Sequence, residues 1–281
     1  MKKRRLFCQI SPMCYNISVL KENFKKDIKD FLSFKKFAKT KASNKLPCIV
    51  KGHKSLILRQ LEGVDIELQK NKAVNLKLAG SRITNIIIKP GETFSFWKLV
   101  GCPTKKKGYL DGLTISKNEL GRSTGGGLCQ LANLIHWLVL NSPLKVQEMY
   151  HHTDALFPDS NRRVPFGTGT GVFYKSIDYR FLNNSDQSVQ LIIWQENGEL
   201  CGELRSEKPF NYRYRIVEEN HYYQKEGEHY YRNSMVYRQV IRADNKIIRK
   251  ELVLKNHSRV MYDSSLIPPD QIKNSDAKSM L

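Results

Sequence analysis

Residues 121–130 read Gly121-Arg122-Ser123-Thr124-Gly125-Gly126-Gly127-Leu128-Cys129-Gln130 and lead directly into an apolar segment, Leu131 to Leu140. Apolar residues recur at helical spacing, which predicts a helix that starts beside Cys129. The three glycines permit positive φ angles and a close approach to another group. Cys129 would then lie in the first helical turn, where free N–H groups and the helix dipole stabilise a thiolate. The same pattern also suits a tight turn with a buried, unreactive cysteine.

Composition and charge limit the possible classes of protein. The chain has 281 residues, of which 40% are hydrophobic, so it can form a sizeable core. Its formal net charge is +20, and its lysines and arginines are spread along the chain. Such a surface attracts polyanions such as nucleic acid, anionic lipid or anionic wall polymers, although it also serves general solubility. We find no helix-turn-helix or RNA-binding motif, so specific nucleic-acid binding is not expected.

The cysteines favour a reducing compartment. The six are widely scattered and form no CxxC pair, unlike those of disulfide scaffolds and zinc ribbons. Cys129, His151, His152 and Asp154 could supply metal ligands, but their spacing is not that of a zinc site. We therefore expect neither a metal nor a cofactor.

The N-terminal region, residues 1–45, is basic and carries one amphipathic pattern. Leu20, Phe24, Ile28, Phe31 and Phe34 fall three or four residues apart, with lysines between them, which predicts a helix. This helix could pack on its own domain, the interpretation we prefer, or lie on an anionic membrane. No adequate signal-peptide core follows the basic start, and no run approaches the ~18 apolar residues of a membrane span. A cytoplasmic protein, with peripheral membrane contact as an option, is the expectation.

The rest of the chain changes from helical to alternating periodicity, which predicts an α+β fold. Two helices are predicted over Ile57 to Leu68 and Lys72 to Ile83, and a strand, a Pro-Gly turn and a second strand over residues 86–96. Segments beginning near Ser176, Val189 and Leu200 predict a three-stranded meander. Tyrosine-rich strands follow, at residues 212–217, 229–240 and 247–254. The predicted divisions are a basic helical segment at 1–45, a core at 46–205, a β extension at 206–265 and a disordered tail at 266–281.

Several separated motifs give the chain a family resemblance. In order they are Lys89-Pro90-Gly91-Glu92-Thr93-Phe94-Ser95-Phe96, Val100-Gly101, Lys107-Gly108-Tyr109, Gly125-Gly126-Gly127-Leu128-Cys129-Gln130, the His151-His152 pair, and Asp178-Tyr179-Arg180-Phe181-Leu182-Asn183-Asn184-Ser185-Asp186. This order resembles VanW-type proteins over roughly residues 70–205. Cys102-Pro103 and Leu134-Ile135-His136-Trp137 depart from the usual pattern. The resemblance implies a bacterial protein linked to glycopeptide resistance or cell-wall metabolism, and it implies no mechanism.

One hypothesis is a cysteine-dependent hydrolase or acyltransferase. It assigns Cys129 as the nucleophile, His152 or His151 as the base and Asp178 as the group that orients the base. Gln130 or the backbone N–H groups near Gly127 would stabilise an oxyanion. The order of cysteine, histidine and polar residue is similar to that of papain-like and NlpC-type wall peptidases, which is an analogy at the level of the fold.

The other hypothesis is a non-catalytic accessory protein that binds a wall precursor, a peptide or a protein partner. Its binding residues would be Gly125, Gly126, Gly127, Gln130 and Arg180, because backbone N–H groups in a glycine nest bind carboxylates and phosphates. A second glycine loop at 167–171 would complete a groove. The aromatic side chains of Trp97, Tyr109, Trp137 and Tyr179 would contribute recognition. A D-alanyl terminus or a diphosphate linkage offers the matching anion.

Overall fold

A computed structural model describes residues 6–58, 65–116, 119–151, 154–155, 158, 164–174 and 176–273. Its four helices in this part of the chain are α1 (Pro12–Leu32), α2 (Ile66–Ile83), α3 (Phe96–Val100) and α4 (Cys129–Leu140). The strands are β1 (Cys48–Leu56), β2 (Ile86–Ile88), β3 (Thr93–Ser95), β4 (Asp111–Ser116), β5 (Glu119–Thr124), β6 (Lys145–Glu148), β7 (Asp154–Ala155), β8 (Arg180–Leu182), β9 (Val189–Glu196), β10 (Glu199–Ser206), β11 (Arg213–Glu226), β12 (His229–Ile241), β13 (Ile247–Val260) and β14 (Ile272–Lys273). The predicted α+β class is confirmed.

The central layer is an antiparallel sheet in the order β1-β10-β9-β2. Asn197 and Gly198 both have positive φ in the turn between β9 and β10, the conformation that a tight hairpin requires. Helix α4 packs on β10 and β1, and α2 packs on β9. Gly202 makes room for α4, because a Cβ there would lie 2.9 Å from Leu134 Cδ2. The main hydrophobic core therefore lies between these two helices and the sheet.

Three further sheets surround this layer within the described residues. Strands β3, β8 and β6 form one, in the order β3-β8-β6, and β4 and β5 form a hairpin. The third has the order β14-β11-β12-β13-β7. Its outer strands pair in parallel with their neighbours, β14 with β11 and β7 with β13. The tyrosine-rich strands thus form a sheet of their own rather than an extension of the central sheet.

Polar caps set the starts of three helices. The Ser11 Oγ of α1 accepts a hydrogen bond from Cys14 N, and Pro12 occupies the first helical position. The Asp65 carboxylate accepts from Glu67 N at the start of α2, and Ser95 Oγ accepts from Lys98 N at the start of α3. Each cap satisfies an N–H group that has no partner within its helix.

Some sequence predictions of elements are wrong. Residues 48–56 form strand β1, for which no strand was predicted, and Ile57 follows it rather than opening a helix. Residues 59–64 of that predicted helix lie outside the described residues, and α2 begins at Ile66. Strand β8 pairs with β3 and β6, so the predicted meander is reduced to the β9–β10 hairpin.

The predicted disordered tail starts too early. The segment Pro269–Gln271 is a 3-10 turn, Ile267 is buried, and β14 pairs with β11. These contacts order the tail as far as Lys273, because they provide apolar burial and backbone hydrogen bonds. Residues 274–281 lie outside the described residues.

Candidate functional site

Cys129 is the first residue of α4, so the predicted helix start is confirmed. Gly125 and Gly127 both have positive φ in the turn that precedes it. A Cβ on Gly126 would lie 2.2 Å from the carbonyl atoms of Gly112 in β4. The glycines therefore let the turn pack directly on the β4–β5 hairpin. They serve this close backbone approach, and the N–H groups of Gly125 and Gly126 donate to Leu110 O and Ser123 O.

The thiol of Cys129 is held against the backbone of Val172. Its Sγ lies 3.5 Å from Val172 N and 3.6 Å from Val172 O, so the thiol both accepts and donates a hydrogen bond. Burial raises the pKa of Cys129, an effect that the Val172 backbone hydrogen bond opposes. A raised pKa keeps the group as a neutral thiol near pH 7, which is the opposite of an activated nucleophile.

Within the described residues, the Cys129 thiol hydrogen-bonds to the Val172 backbone, and Asp178 has partners other than a histidine. Both ring nitrogens of His151 are buried, and no described residue hydrogen-bonds to them with ordinary geometry, although the Asn256 side chain lies close enough to act on the ring. Burial lowers the pKa of His151, and the Asn256 side chain opposes this shift. The ring is therefore neutral near pH 7. His152 lies outside the described residues, so its position relative to Cys129 stays a prediction.

Asp178 is fully engaged elsewhere. Its carboxylate accepts hydrogen bonds from Ser95 Oγ at 2.6 Å, Trp97 N at 3.1 Å and Arg180 Nε at 2.7 Å. Arg180 in turn donates from Nη1 to both carboxylate oxygens of Asp30 in α1, each at 2.8 Å. Arg180 and Asp30 are only 6% exposed as side chains. Asp178 thus orients an arginine, and Arg180 fixes the N-terminal helix to the core.

Gln130 also has a structural role. Its Nε2 donates to Ser55 Oγ and to Leu56 O, each at 2.9 Å, and so ties the start of α4 to the end of β1. This use of the side-chain amide leaves an oxyanion role without support. Three of the aromatic side chains predicted to bind a ligand also have structural contacts. Tyr109 and Tyr179 are buried, and the ring of Trp137 packs against His53 and Lys51.

Sequence reasoning missed His136, which lies in α4 and is completely buried. Its Nδ1 is 3.1 Å from the Tyr179 hydroxyl. Burial, with a smaller contribution from His151, lowers the pKa of His136 to about 3. The helical period predicts that His136 lies in a buried helix, but it does not reveal the partner of its ring, Tyr179, which immediately precedes β8. The ring is a neutral core group.

Two cavities border the short helix α3. The cationic cavity has a volume of about 200 Å³. Its lining residues are Lys41, Leu78, Ser81, Arg82, Val100, Lys107 and Tyr109. The α1 cavity, of about 250 Å³, lies between α1 and residues that include Trp97, Tyr174, Asp178 and Arg180. No sequence pattern predicts either cavity, because the residues that line each one come from separate segments of the chain.

The cationic cavity carries unbalanced positive charge. No aspartate or glutamate is among the described residues that line it. Lys41 Nζ donates to Ser81 O at 2.8 Å, and Lys107 Nζ donates to Cys102 O at 3.0 Å, so both ammonium groups are held by neutral carbonyls. Partial burial and the neighbouring Arg82 guanidinium lower the pKa of Lys41. An anion bound here would relieve that repulsion.

The described residues contain no cluster of three or more histidine, cysteine, aspartate or glutamate side chains able to hold a metal ion. In the same part of the chain, none of the helices has the length and hydropathy needed to span a membrane.

Comparisons with known proteins give a consistent result. Residues 71–205 match a family model described as VanW like protein. The vancomycin B-type resistance protein VanW of Enterococcus faecalis is 31% identical over 227 residues, which cover 80% of this chain and 82% of that protein. YoaR, an uncharacterised protein of Bacillus subtilis, is 32% identical over 148 residues, covering 53% of this chain and 47% of YoaR. No solved structure matches the chain significantly.

Proposed function

This chain belongs to the VanW family, and from that premise we propose that it is a non-catalytic accessory protein that supports glycopeptide resistance. In this proposal it acts in the cytoplasm and binds an anionic group of a cell-wall precursor. The printed name of the enterococcal relative supports the link to vancomycin resistance. The geometry around Cys129 supports binding rather than catalysis, because the thiol is neutral and Asp178 is committed to Arg180.

The cationic cavity is the observation that carries the binding proposal. Arg82 stands close enough to shift the pKa of Lys41 downward and to oppose the rise that burial causes in the pKa of Tyr109. Lys107 completes the set of cations on the cavity wall. Cations of this kind suit a diphosphate or carboxylate. Wall precursors carry both groups, as a diphosphate linkage and as a D-alanyl terminus.

A titration of the full chain with inorganic pyrophosphate, followed by calorimetry, tests the site. We expect saturable binding that weakens with salt. The variants Arg82→Gln and Lys107→Gln should each weaken it about tenfold or more, since each removes a charged donor. Lys77→Gln is the matched control, because Lys77 is exposed on α2 but does not line the cavity. Equal affinities for Arg82→Gln and Lys77→Gln would contradict the assignment.

The role in resistance needs a test in cells. A host that depends on this protein for growth with vancomycin should lose resistance with Arg82→Gln and keep it with Lys77→Gln. A nucleotide-linked peptide precursor, which carries both anions, should compete with pyrophosphate in the binding assay. Competition without any effect of Arg82→Gln on resistance would support the site and oppose the cellular role.

The cysteine-dependent hydrolase or acyltransferase is the second candidate, favoured by the position of Cys129 at the first residue of α4. It requires a thiolate, whereas burial raises the pKa of this thiol. We expect slow alkylation of Cys129 by iodoacetamide near pH 7 and undiminished resistance with Cys129→Ser. Rapid alkylation together with loss of resistance in Cys129→Ser would overturn the accessory role in favour of catalysis.

A further inference from the structure

Helix α1 presents its apolar residues to solvent. Met13, Ile17, Leu20, Phe24, Ile28 and Phe31 recur three or four residues apart, so they share one face. All six are exposed, with Phe24 68% and Phe31 79% accessible. The preferred sequence interpretation, in which Phe24, Ile28 and Phe31 pack on the protein itself, is therefore wrong. We call these six residues the apolar stripe.

The face that docks on the protein is polar instead. Asp30 is buried in the ion pair with Arg180. Lys26 is half-buried and pairs with Glu148. Asn23 is half-buried on the same side, one turn from Lys26. The helix orientation is thus set by specific ion pairs, which hold the apolar stripe away from the core.

Cations lie beside the apolar stripe. On the helical wheel Lys21 borders Ile28, and Lys25 and Lys29 follow on the same side. Lys21 and Lys29 have no carboxylate partner in the described part of the chain, whereas Lys25 pairs with Glu22. The chain as a whole carries a net charge of +20. The partner that this surface fits is apolar at its centre and negative at its rim.

We propose that α1 is a membrane-binding helix that lies flat on an anionic lipid surface, with the apolar stripe among the acyl chains and the lysines at the headgroups. A linear apolar face along a helix with cations at its border is the pattern of an interfacial helix. The charged residues Lys26 and Asp30 remain on the protein side, so only one face enters the lipid. This inference is independent of the anion proposed for the cationic cavity.

Co-sedimentation of the full chain with vesicles tests this proposal. We expect binding to phosphatidylcholine–phosphatidylglycerol vesicles, weaker binding to pure phosphatidylcholine, and a loss of binding in high salt. The double variant Phe24→Ser/Phe31→Ser should bind at least about tenfold more weakly. Its melting temperature should stay unchanged, because both side chains are exposed. Lys21→Gln/Lys29→Gln should weaken binding only to the anionic vesicles.

The matched control removes apolar surface elsewhere. Leu252→Ser/Ile248→Ser truncates two exposed residues of β13 in the C-terminal sheet and should leave vesicle binding unchanged. Equal losses in both double variants would overturn a specific role for α1. The absence of vesicle binding by the native chain would also overturn the proposal. If sedimentation equilibrium then showed a dimer that Phe24→Ser/Phe31→Ser dissociates, the apolar stripe would instead bind a second copy of the chain.

Discussion

Helices α1 and α4 have similar apolar periodicities and opposite placements. In α4 the side chains of Leu131, Leu134 and Leu138 are buried in the main core. In α1 the apolar stripe faces solvent, and Asp30 lies in the protein interior. The period of a sequence therefore reveals that a helix has an apolar face, but it does not reveal what covers that face. The deciding contacts come from residues distant in the chain, such as Arg180.

The largest expected effect breaks the attachment of α1. Arg180→Ala removes the cation shared by Asp178 and Asp30. Asp178 keeps its hydrogen bonds from Ser95 and Trp97, and Asp30 keeps the longer contacts with Lys35 and Lys98. We expect the free energy of unfolding to fall by about 3 kcal/mol, measured by urea denaturation, because the remaining partners compensate only in part. Limited proteolysis should also begin within α1.

An exposed ion pair provides the control for that variant. Arg242→Ala removes the pair between Arg242 and Asp244, which are both half-exposed. It should leave the free energy of unfolding nearly unchanged, because solvent screens the pair. An equally small change for Arg180→Ala would mean that α1 is held by something other than this arginine.

The next effect acts on the start of α4. Gly126→Ala forces a Cβ to within 2.2 Å of the Gly112 backbone, so the turn and the hairpin must separate. We expect a loss of about 2–3 kcal/mol in unfolding free energy. Gly52→Ala is the control, because the nearest atom to its Cβ lies 3.9 Å away, and thermal denaturation should show little change there. Tolerance of Gly126→Ala would show that the close packing of Gly126 on Gly112 is dispensable.

A smaller effect depends on pH and also belongs to α4. Because burial lowers the pKa of His136 to about 3, the unfolded chain binds a proton below its ordinary pKa of 6.5 and the folded chain does not. The folded state therefore loses stability as the pH falls below that value. The expected cost from this residue is about 2 kcal/mol between pH 7 and pH 5. His136→Gln should reduce the slope of unfolding free energy against pH over that range, and an unchanged slope would refute the assignment.

The smallest expected effect on stability comes from an exposed residue of α1, and it is compared with a buried residue of α4. Phe31→Ser in α1 should change the unfolding free energy by no more than about 0.5 kcal/mol, because the ring is exposed. Leu131→Ala in α4 is the comparison and should cost about 2–5 kcal/mol, because it leaves a cavity in the core. Urea denaturation of both variants measures the difference, and a large loss for Phe31→Ser would place its ring in a contact with the protein.

Local signals predicted much of the fold. The helix at Cys129 and the turn at Pro90-Gly91 follow from periodicity and from turn chemistry, which act between near neighbours. The assignment of β8 to the sheet of β3 and β6 could not be predicted, because β8 pairs with strands that are distant from it in sequence and not with β9, which follows it. Alternating periodicity predicts that a segment is a strand with one buried face, but it does not predict which strand pairs with it.

The candidate site was less predictable than the fold. The sequence pattern identified Asp178 and Arg180 and proposed them for catalysis and ligand binding, because Asp30, the partner of Arg180, lies in a remote segment. The cationic cavity depends on the meeting of Lys41 with Arg82 and Lys107, which no spacing rule reveals. Charge alone indicated an anion, but it could not locate the binding residues.

The ion pair between Asp30 and Arg180 also sets an order of events during synthesis. The two residues are separated by 150 positions in the chain. At translation rates of about 5–20 residues per second, roughly 8 to 30 s pass after Asp30 is made before Arg180 exists. During that interval the part of the protein on which α1 docks does not yet exist, although all the apolar residues of α1 have been synthesised. The helix therefore meets its surroundings on the ribosome before the rest of the protein folds, and docking through Arg180 is a late step of maturation.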